Sequence, residues 1–509
     1  MGMTTSLSLP PFNFFLINFL TFGYLFIFLV KKSQSQFNKL LYFLYGWFFG
    51  FGFFVTNLYW ISISLTFDES FKFLIPLSLI FLPAFLAIFY GITTYLFLIL
   101  NTKKIISSFL IFSIIFGILE FVRGFVLTGF PWNLIVFSLS NNLEILSIIS
   151  VIGTYALNLL CISIFTSGGL FLLRKSKKEI IVSIFFILIP FFFYNYGLIY
   201  KNKFFNAKSI FYDYKIRSIG SNISLNRFYE NIDIVSVIED LITISDPQIN
   251  EKTIFLWPEG ILPGISQEQL VDYKGLFKNK LSKNHFLGLG INSQQNENET
   301  QKFYNSFSLY DNEFNLLDSY SKINLVPFGE FLPFENILKK IGLKSITNNY
   351  QSYSAGNKRN IISLVKENFS LKILPLICYE IIYSGRLYKN QNFDVLVNIS
   401  EDGWFGKSIG PKQHFVHSIF RAIESGKYVI RSSNNGSAAI INPLGIVEKK
   451  VDFGKSGYVD FEERRDTQPT IFSNYGNKIF AIIILLYIFF IFLFNKIEDD
   501  KLKKLSIYK

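Results

Sequence analysis

The sequence predicts a multi-helix transmembrane bundle that carries one layered α/β domain. Three observations predict it. Half of the 509 residues are hydrophobic, 61 of them Phe, and the mean hydropathy is +0.35, high for a chain that folds in water. Apolar residues before position 211 and after 469 gather in long runs, whereas those between 212 and 468 form short runs bounded by Gly, Pro, Asn and Asp. Clusters of Lys and Arg recur at every second gap between the long runs, the pattern of a chain that crosses a bilayer repeatedly.

In chain order, runs able to span a bilayer lie near 13–30, 40–60, 73–99, 105–127, 145–172, 180–200 and 478–495, against the roughly 20 apolar residues a crossing helix needs. Pro76 and Pro83 fall in the third, where membrane helices tolerate them. The N-terminus lacks the basic start and small-residue cleavage site of a signal peptide. Lys31, Lys32 and Lys39 follow the first run, and Lys103 and Lys104 the third. Arg174, Lys175, Lys177 and Lys178 follow the fifth, and Lys496, Lys501, Lys503 and Lys504 the last. If each run crosses once, all four clusters share one side, which the positive-inside rule makes the cytoplasm. The expected division is then 1–211, a bundle of about six spans; 212–468, a domain on the outer side; and 469–509, a last helix with a basic cytoplasmic tail.

Within 212–468 the short apolar runs at 253–257, 286–291, 373–377, 395–399, 428–432 and 438–441 read as buried strands. Helical patterns at 229–245 and 411–426 alternate with them, which predicts layered α/β structure. The Gln/Asn/Glu-rich 293–301 reads as an exposed loop.

The charge of +12, from 49 Lys and Arg against 37 Asp and Glu, has two readings: a compositional preference for Lys, Asn, Ile and Phe, or loops lying against anionic lipid. No basic helix or zinc-finger spacing points to nucleic acid. Two cysteines, Cys161 in an apolar run and Cys378 in the polar domain, make no disulfide framework. His414 and His417 have helical spacing but no third ligand, so no metal site and no cofactor are expected. Cys161 reads as a membrane-helix packing residue, and His285, His414 and His417 as structural or surface groups.

Three strand ends carry an ionisable residue beside a Gly/Pro turn: Glu259 in FLWPEG (255–260), Lys322 and Glu330 in SKINLVPFGE (321–330), and Cys378 in LPLICYEIIY (374–383). A free thiol has a pKa of about 8.5 and needs help at neutral pH. A carboxylate can take its proton, and an ammonium can stabilise first the thiolate and then the oxyanion of a tetrahedral intermediate. Taken singly, Glu259 reads better as a turn carboxylate, Lys322 as a surface ammonium and Cys378 as a core thiol. Together they form a coherent set for acyl transfer.

The order Trp257-Pro-Glu259, KINLVPFGEFLP (322–333), ICYEI (377–381), WFGKSIGP (404–411) and RSSNNG (431–436), with EFVRG (120–124) and TGFPW (128–132) in the membrane part, resembles the nitrilase superfamily. More narrowly it resembles its membrane-embedded branch, the apolipoprotein N-acyltransferases, over nearly the whole chain. The resemblance implies a nitrilase-like αββα sandwich on a helix bundle in a bacterial inner membrane, with the catalytic domain periplasmic and the C-terminus cytoplasmic. It implies ping-pong transfer of an acyl chain from a phospholipid, through a cysteine thioester, to the N-terminal α-amino group of a diacylglyceryl-cysteine apolipoprotein. Carried over, Cys378 is the nucleophile, Glu259 the general base, and Lys322 with the Tyr379 N–H the oxyanion donors. Glu330 and Glu380 support Lys322 and the amine. Trp404, Trp132 and Arg123 are candidate substrate contacts, although Arg123 reads equally as a snorkelling side chain. A monomer is expected. The alternative is a membrane-tethered carbon–nitrogen hydrolase of small amides or nitriles, using the same triad.

The sequence departs from the family's usual pattern in three places. Gly220 and Tyr229 stand where Gln and Trp are usual, and Glu401-Asp402 where Asn-Asp is usual. Seven spans are expected where eight are common, with the Ser8-Leu-Pro-Pro11 turn close to the N-terminus.

Overall fold

A computed structural model describes residues 1–35, 38–102, 104–230, 233–297, 300–334, 352–366, 369–387 and 392–507; the expected cationic position Lys103 lies outside them. Each expected span contains one long helix: α1 (Ile17–Ser35), α2 (Lys39–Leu58), α3 (Ile75–Leu100), α4 (Ile105–Arg123), α5 (Ile149–Leu172), α6 (Lys177–Phe205) and, after the soluble domain, α9 (Lys478–Ile507). All but α1 are long and apolar enough to cross a membrane. Helix α1 differs from the expected run 13–30: it starts only at Ile17 and ends on Lys31-Lys-Ser-Gln-Ser, which shortens its apolar length below the bilayer thickness.

Local chemistry sets the helix ends. Asn38 accepts the N–H of Leu41 at the start of α2. Ser176 and Glu179 form a reciprocal capping box at the start of α6. Pro83 and Pro190 sit inside α3 and α6. Helix α5 breaks at Gly153, whose φ of +77° suits only glycine. A Cβ there would also meet the Phe472 ring at 2.0 Å. Helices α4 and α5 are buried along most of their length and form the centre of the bundle, with α3, α6 and α9 outside.

Among the described residues the soluble domain holds twelve strands: β1 (Ser209–Ser221), β2 (Thr253–Leu256), β3 (His285–Glu297), β4 (Thr300–Asp311), β5 (Leu316–Ser321), β6 (Ile362–Lys366), β7 (Phe369–Ile377), β8 (Val395–Glu401), β9 (Tyr428–Asn434), β10 (Ala439–Ile441), β11 (Val447–Lys450) and β12 (Gly457–Arg465). Their main order is β5-β4-β3-β2-β1-β9-β8-β7-β6, with β12 on β1 and β10 on β9. Strands β1, β2 and β3 are parallel, as are β7, β8 and β9. Among the described residues, the strands of the two leaves pair where Gly220 and Ser221 meet Ser433 and Asn434.

One apolar core lies between the leaves, with Ile216, Ile254 and Phe307 from one and Ile373, Val397 and Ile430 from the other. Helix α7 (Ile234–Ser245) covers the outer face of the first leaf. Helix α8 (Gly410–Ser425) covers that of the second and shares one core with the membrane helices. The result is the nitrilase-like αββα sandwich. Strands buried on both faces, such as β2 and β8, are continuous apolar runs for that reason.

The expected loop at 293–301 is instead the end of a long hairpin, with β3 and β4 paired out to Glu297 and Thr300; residues 298 and 299 lie outside the described set. Polar residues mark this stretch because the strand leaves the core there, with Gln295 already exposed, while its backbone bonds continue across the pair.

Candidate active site

Cys378, Glu259 and Lys322 come from three different strands and reach one buried chamber. Glu259 follows β2. Its turn is fixed by Trp257, whose N–H donates to Gly288 O at 2.8 Å and whose indole N–H donates to Ser245 Oγ at 2.9 Å. Gly290 on β3 lets this turn approach, since a Cβ there would lie 2.5 Å from the Glu259 Cα. Lys322 follows β5, where its N–H donates to Asn305 O at 2.8 Å. Cys378 ends β7 with φ +48°, left-handed and strained for a residue with a side chain, and starts a single helical turn through Ile382.

The Lys322 ammonium donates to Glu259 Oε1 at 3.0 Å and to Glu330 Oε1 at 2.9 Å. Asn305 donates to the same two oxygens at 2.8 and 2.7 Å. Glu259 Oε2 accepts the Glu401 N–H at 3.0 Å, and Glu330 Oε2 the Val326 N–H at 2.8 Å. Burial would discharge Lys322, but Glu259 and Glu330 outweigh it and hold the ammonium well above lysine's usual range. Burial pushes the Cys378 thiol well up, and Glu259 adds to that while Lys322 opposes it. Burial also raises Glu330, against the pull of Lys322 and with the charge of Glu259 adding to the rise. At rest the chamber therefore favours a protonated thiol beside a charged lysine and a carboxylate able to accept a proton.

Glu380 stands apart from Lys322. Its Oε1 accepts from Tyr320 OH (2.7 Å), Arg359 Nη2 (2.8 Å), and the N–H groups of Ile323 and Asn324 (3.1 and 3.2 Å), and its Oε2 from Ile377 N–H (2.9 Å). It ties the strand end beneath Cys378 to the segment after Lys322. Burial opposes its charge, but Arg359 wins and holds Glu380 below its usual range.

The tyrosines that follow Cys378 grip the membrane part. Tyr379 OH donates to Gly129 O at 3.0 Å, and Tyr383 OH to Thr128 O at 2.9 Å. Trp132 is buried, stacked on His414 at 5.3 Å, and donates to Gln413 Oε1 at 2.9 Å. Arg123, expected as a headgroup contact or a snorkelling group, does neither here: it is 2% exposed, paired with Glu120 and donating to Phe130 O. A guanidinium at a bundle centre is cheapest when its charge is paired inside. Trp404 lies partly exposed among Phe67, Phe228 and Tyr229, the nearest ring centroid at 5.1 Å.

Asn305 was missed by sequence reasoning, because it sits mid-strand in β4 with no turn or charge to mark it. His414 and His417 are both buried. The His414 ring joins Asp402 Oδ1 (2.9 Å) to Cys378 O (3.3 Å), beneath the Cys378 backbone.

Two family models match the chain, that of the apolipoprotein N-acyltransferase N-terminal domain over residues 1–166 and that of carbon–nitrogen hydrolase over 253–464. The apolipoprotein N-acyltransferase of Rickettsia prowazekii (strain Madrid E) is 31% identical over 98% of this chain and 98% of its own. That of Rickettsia bellii (strain RML369-C) is 33% identical over 99% and 97%. The chain belongs to the apolipoprotein N-acyltransferase family. The family pairs a membrane-helix region with a nitrilase-superfamily domain in one chain, and here the two share a single apolar core. That of Rhodopseudomonas palustris (strain ATCC BAA-98 / CGA009) is 29% identical over 97% of this chain and 93% of its own.

Proposed function

We propose that the protein transfers an acyl chain from a phospholipid to the N-terminal α-amino group of a diacylglyceryl-cysteine apolipoprotein, by a ping-pong route through a thioester on Cys378. The observation that carries this reading is the meeting of Glu259, Lys322 and Cys378 in one buried chamber on a domain fused to membrane helices. Glu259 takes the thiol proton, and the thiolate attacks the ester carbonyl of the phospholipid. Lys322 and the Tyr379 N–H hold the oxyanion. The C–O bond breaks, Glu259 returns the proton to the leaving alkoxide, and lysophospholipid departs. The free amine then attacks the thioester carbonyl. Glu259 accepts the amine proton, the C–S bond breaks, and the thiolate recovers the proton. Burial of the chamber keeps water from the thioester until the amine arrives.

Both substrates are anchored in a leaflet, so the thiol must stand above one. The ends of α1, α3 and α9 meet at one pole, where Asn101 donates to Ser33 Oγ at 2.8 Å and Ser107 to Asn495 Oδ1 at 2.8 Å. Lysine-rich segments follow these ends. The catalytic domain contacts the loop after α4, at the other end of that helix. This supports a multi-pass inner-membrane protein with residues 212–468 in the periplasm and the C-terminus in the cytoplasm. All three reacting groups come from one chain, so a monomer suffices.

Intact mass after incubation with phospholipid tests the reading. The expected result is a gain of one acyl group, released by hydroxylamine and absent in Cys378→Ala. No gain in folded, lipid-loaded protein, together with ammonia release from a small amide, would replace it with amide hydrolysis.

A further inference from the structure

Glu259 is held by more than its chamber partners. Its Oε1 is committed to Lys322 and Asn305, and its Oε2 receives the Glu401 N–H. The backbone at Glu401 therefore decides where the second oxygen points. Glu401 ends β8, and its own carboxylate folds back, accepting Gly403 N–H at 2.8 Å and Asn434 Nδ2 at 2.6 Å. Arg227 closes the arrangement. Its guanidinium pairs with Glu401 Oε2, and the same Nη2 reaches Gly260 O at 3.3 Å. Nη1 donates to Ser224 O at 2.9 Å. Gly260 is the residue after Glu259, with φ +55°. One cation thus grips both the turn that carries Glu259 and the residue whose N–H binds it.

We infer that the buried Arg227–Glu401 pair is a positioning device for Glu259, fixing the carboxylate that exchanges a proton with Cys378. Both side chains are 1% exposed. A buried ion pair is weak evidence for stability, because apolar or neutral replacements are often as stable. An asparagine at 401 could accept the same N–H bonds without a charge to bury. What the charged pair adds at this place is a directional tie across three segments. Arg227 and Glu401 touch no reacting atom in the proposed mechanism; they act through Glu259. The inference rests on the reading of Glu259 as base.

The test uses full-length protein carrying Cys161→Ala, so that Cys378 is the single thiol, and reads two rates: acylation by phospholipid and alkylation of the thiol by iodoacetamide. Glu259→Gln sets the scale for a lost base. Arg227→Met is expected to slow acylation roughly a hundredfold, as misplacing a reacting group by about 1 Å can do, and to slow alkylation severalfold. Arg227→Met with Glu401→Asn is expected to stay slow in both rates, since the tie across the three segments is still missing; recovery of both would show that only the uncompensated carboxylate mattered and would overturn the inference. A merely structural role would loosen the fold and make alkylation faster, so faster alkylation overturns the inference. So does acylation within twofold of the parent. If Arg227→Met does not fold, Glu401→Gln decides: slowed acylation supports the device, and a rate within twofold overturns it. A parent protein that gains no acyl group defeats the proposed reaction instead. Acylation intact but alkylation unchanged in Glu259→Gln defeats the base assignment, and this inference with it.

Discussion

The chamber around Lys322 and the joint between the soluble domain and the membrane helices are built from the same materials and balanced differently. In the joint, one buried pair is matched one to one: Arg421 Nε lies 2.9 Å from Glu424 Oε2, while Glu424 Oε1 accepts from Thr154 N–H at 2.9 Å and Ser384 Oγ at 2.7 Å. Arg421 also donates to Ile382 O at 3.1 Å and Thr154 Oγ1 at 2.8 Å. In the chamber two carboxylates share one ammonium, and the thiol beside them is held protonated. Matched charges have no reason to exchange protons and so can hold two parts of the molecule in register. Unmatched ones leave a carboxylate that can take a proton and return it, which the proposed mechanism needs.

Lys322→Met should break this contrast most severely. Losing an oxyanion donor, the role proposed for Lys322, costs about 10³-fold in rate, so acylation should fall at least that far. The stability of the variant should also become pH-dependent. Burial and Glu259 already raise Glu330, and without the ammonium Glu330 favours protonation in the folded state still more. The folded chain then binds more protons than the unfolded one, so stability falls as pH rises. Melting temperatures at pH 6 and 8 check this, and an unchanged difference relative to wild type would show that Glu330 does not depend on Lys322.

Arg421→Met tests the matched side. It leaves Glu424 buried without its counter-charge, a loss of about 3–5 kcal/mol in other proteins. Denaturation midpoints should drop accordingly, with acylation by the folded fraction retained. Loss of acylation at full stability would mean that the joint also takes part in the reaction.

Glu380 lies next to Cys378 and yet belongs with the matched groups, which makes it the sharper probe. Glu380→Gln should cost about 2 kcal/mol, since several donors, one of them charged, lose an anionic acceptor. The sign with pH follows from its lowered folded pKa. Its stabilisation is fully present above the ordinary carboxylate range and is lost as pH falls through the folded value. The variant's acid limb should therefore be flatter than wild type's between neutrality and that value. Parallel curves would remove Glu380 from this role.

What the sequence disclosed follows the same division. Glu259, Lys322 and Cys378 were legible because each is a reactive residue at a strand end beside a turn, and Glu330 because its motif travels with Lys322. Strands β2, β7, β8 and β9 showed as continuous apolar runs because both faces are covered. Strands β4 and β12 did not, because their apolar and polar residues alternate and a search for continuous runs passes over them. Asn305 and Arg227 were hidden for another reason. Their roles are set by partners 46 and 174 residues away in the chain, and no local spacing encodes such a meeting. Arg123 misled because a cation at a span's end suggests a headgroup, while the Glu120 that neutralises it lies one turn earlier on the same helix.

The smallest effect is expected where one neutral hydrogen bond crosses the joint. Tyr383 OH donates to Thr128 O at 2.9 Å and lies 3.2 Å from Gly129 O, in the loop that Tyr379 also holds. Removing the hydroxyl in Tyr383→Phe leaves the ring in place and the loop still tethered by Tyr379. The loss should be about 1 kcal/mol, the usual net worth of a neutral hydrogen bond. Acylation at Cys378 should be unchanged, because the hydroxyl points to the membrane loop and not to Lys322. Chemical denaturation measures the first quantity and single-turnover acylation the second. If stability holds and acylation falls, the loop at 128–129 serves the chamber directly, and the boundary drawn here between holding groups and reacting groups lies in the wrong place.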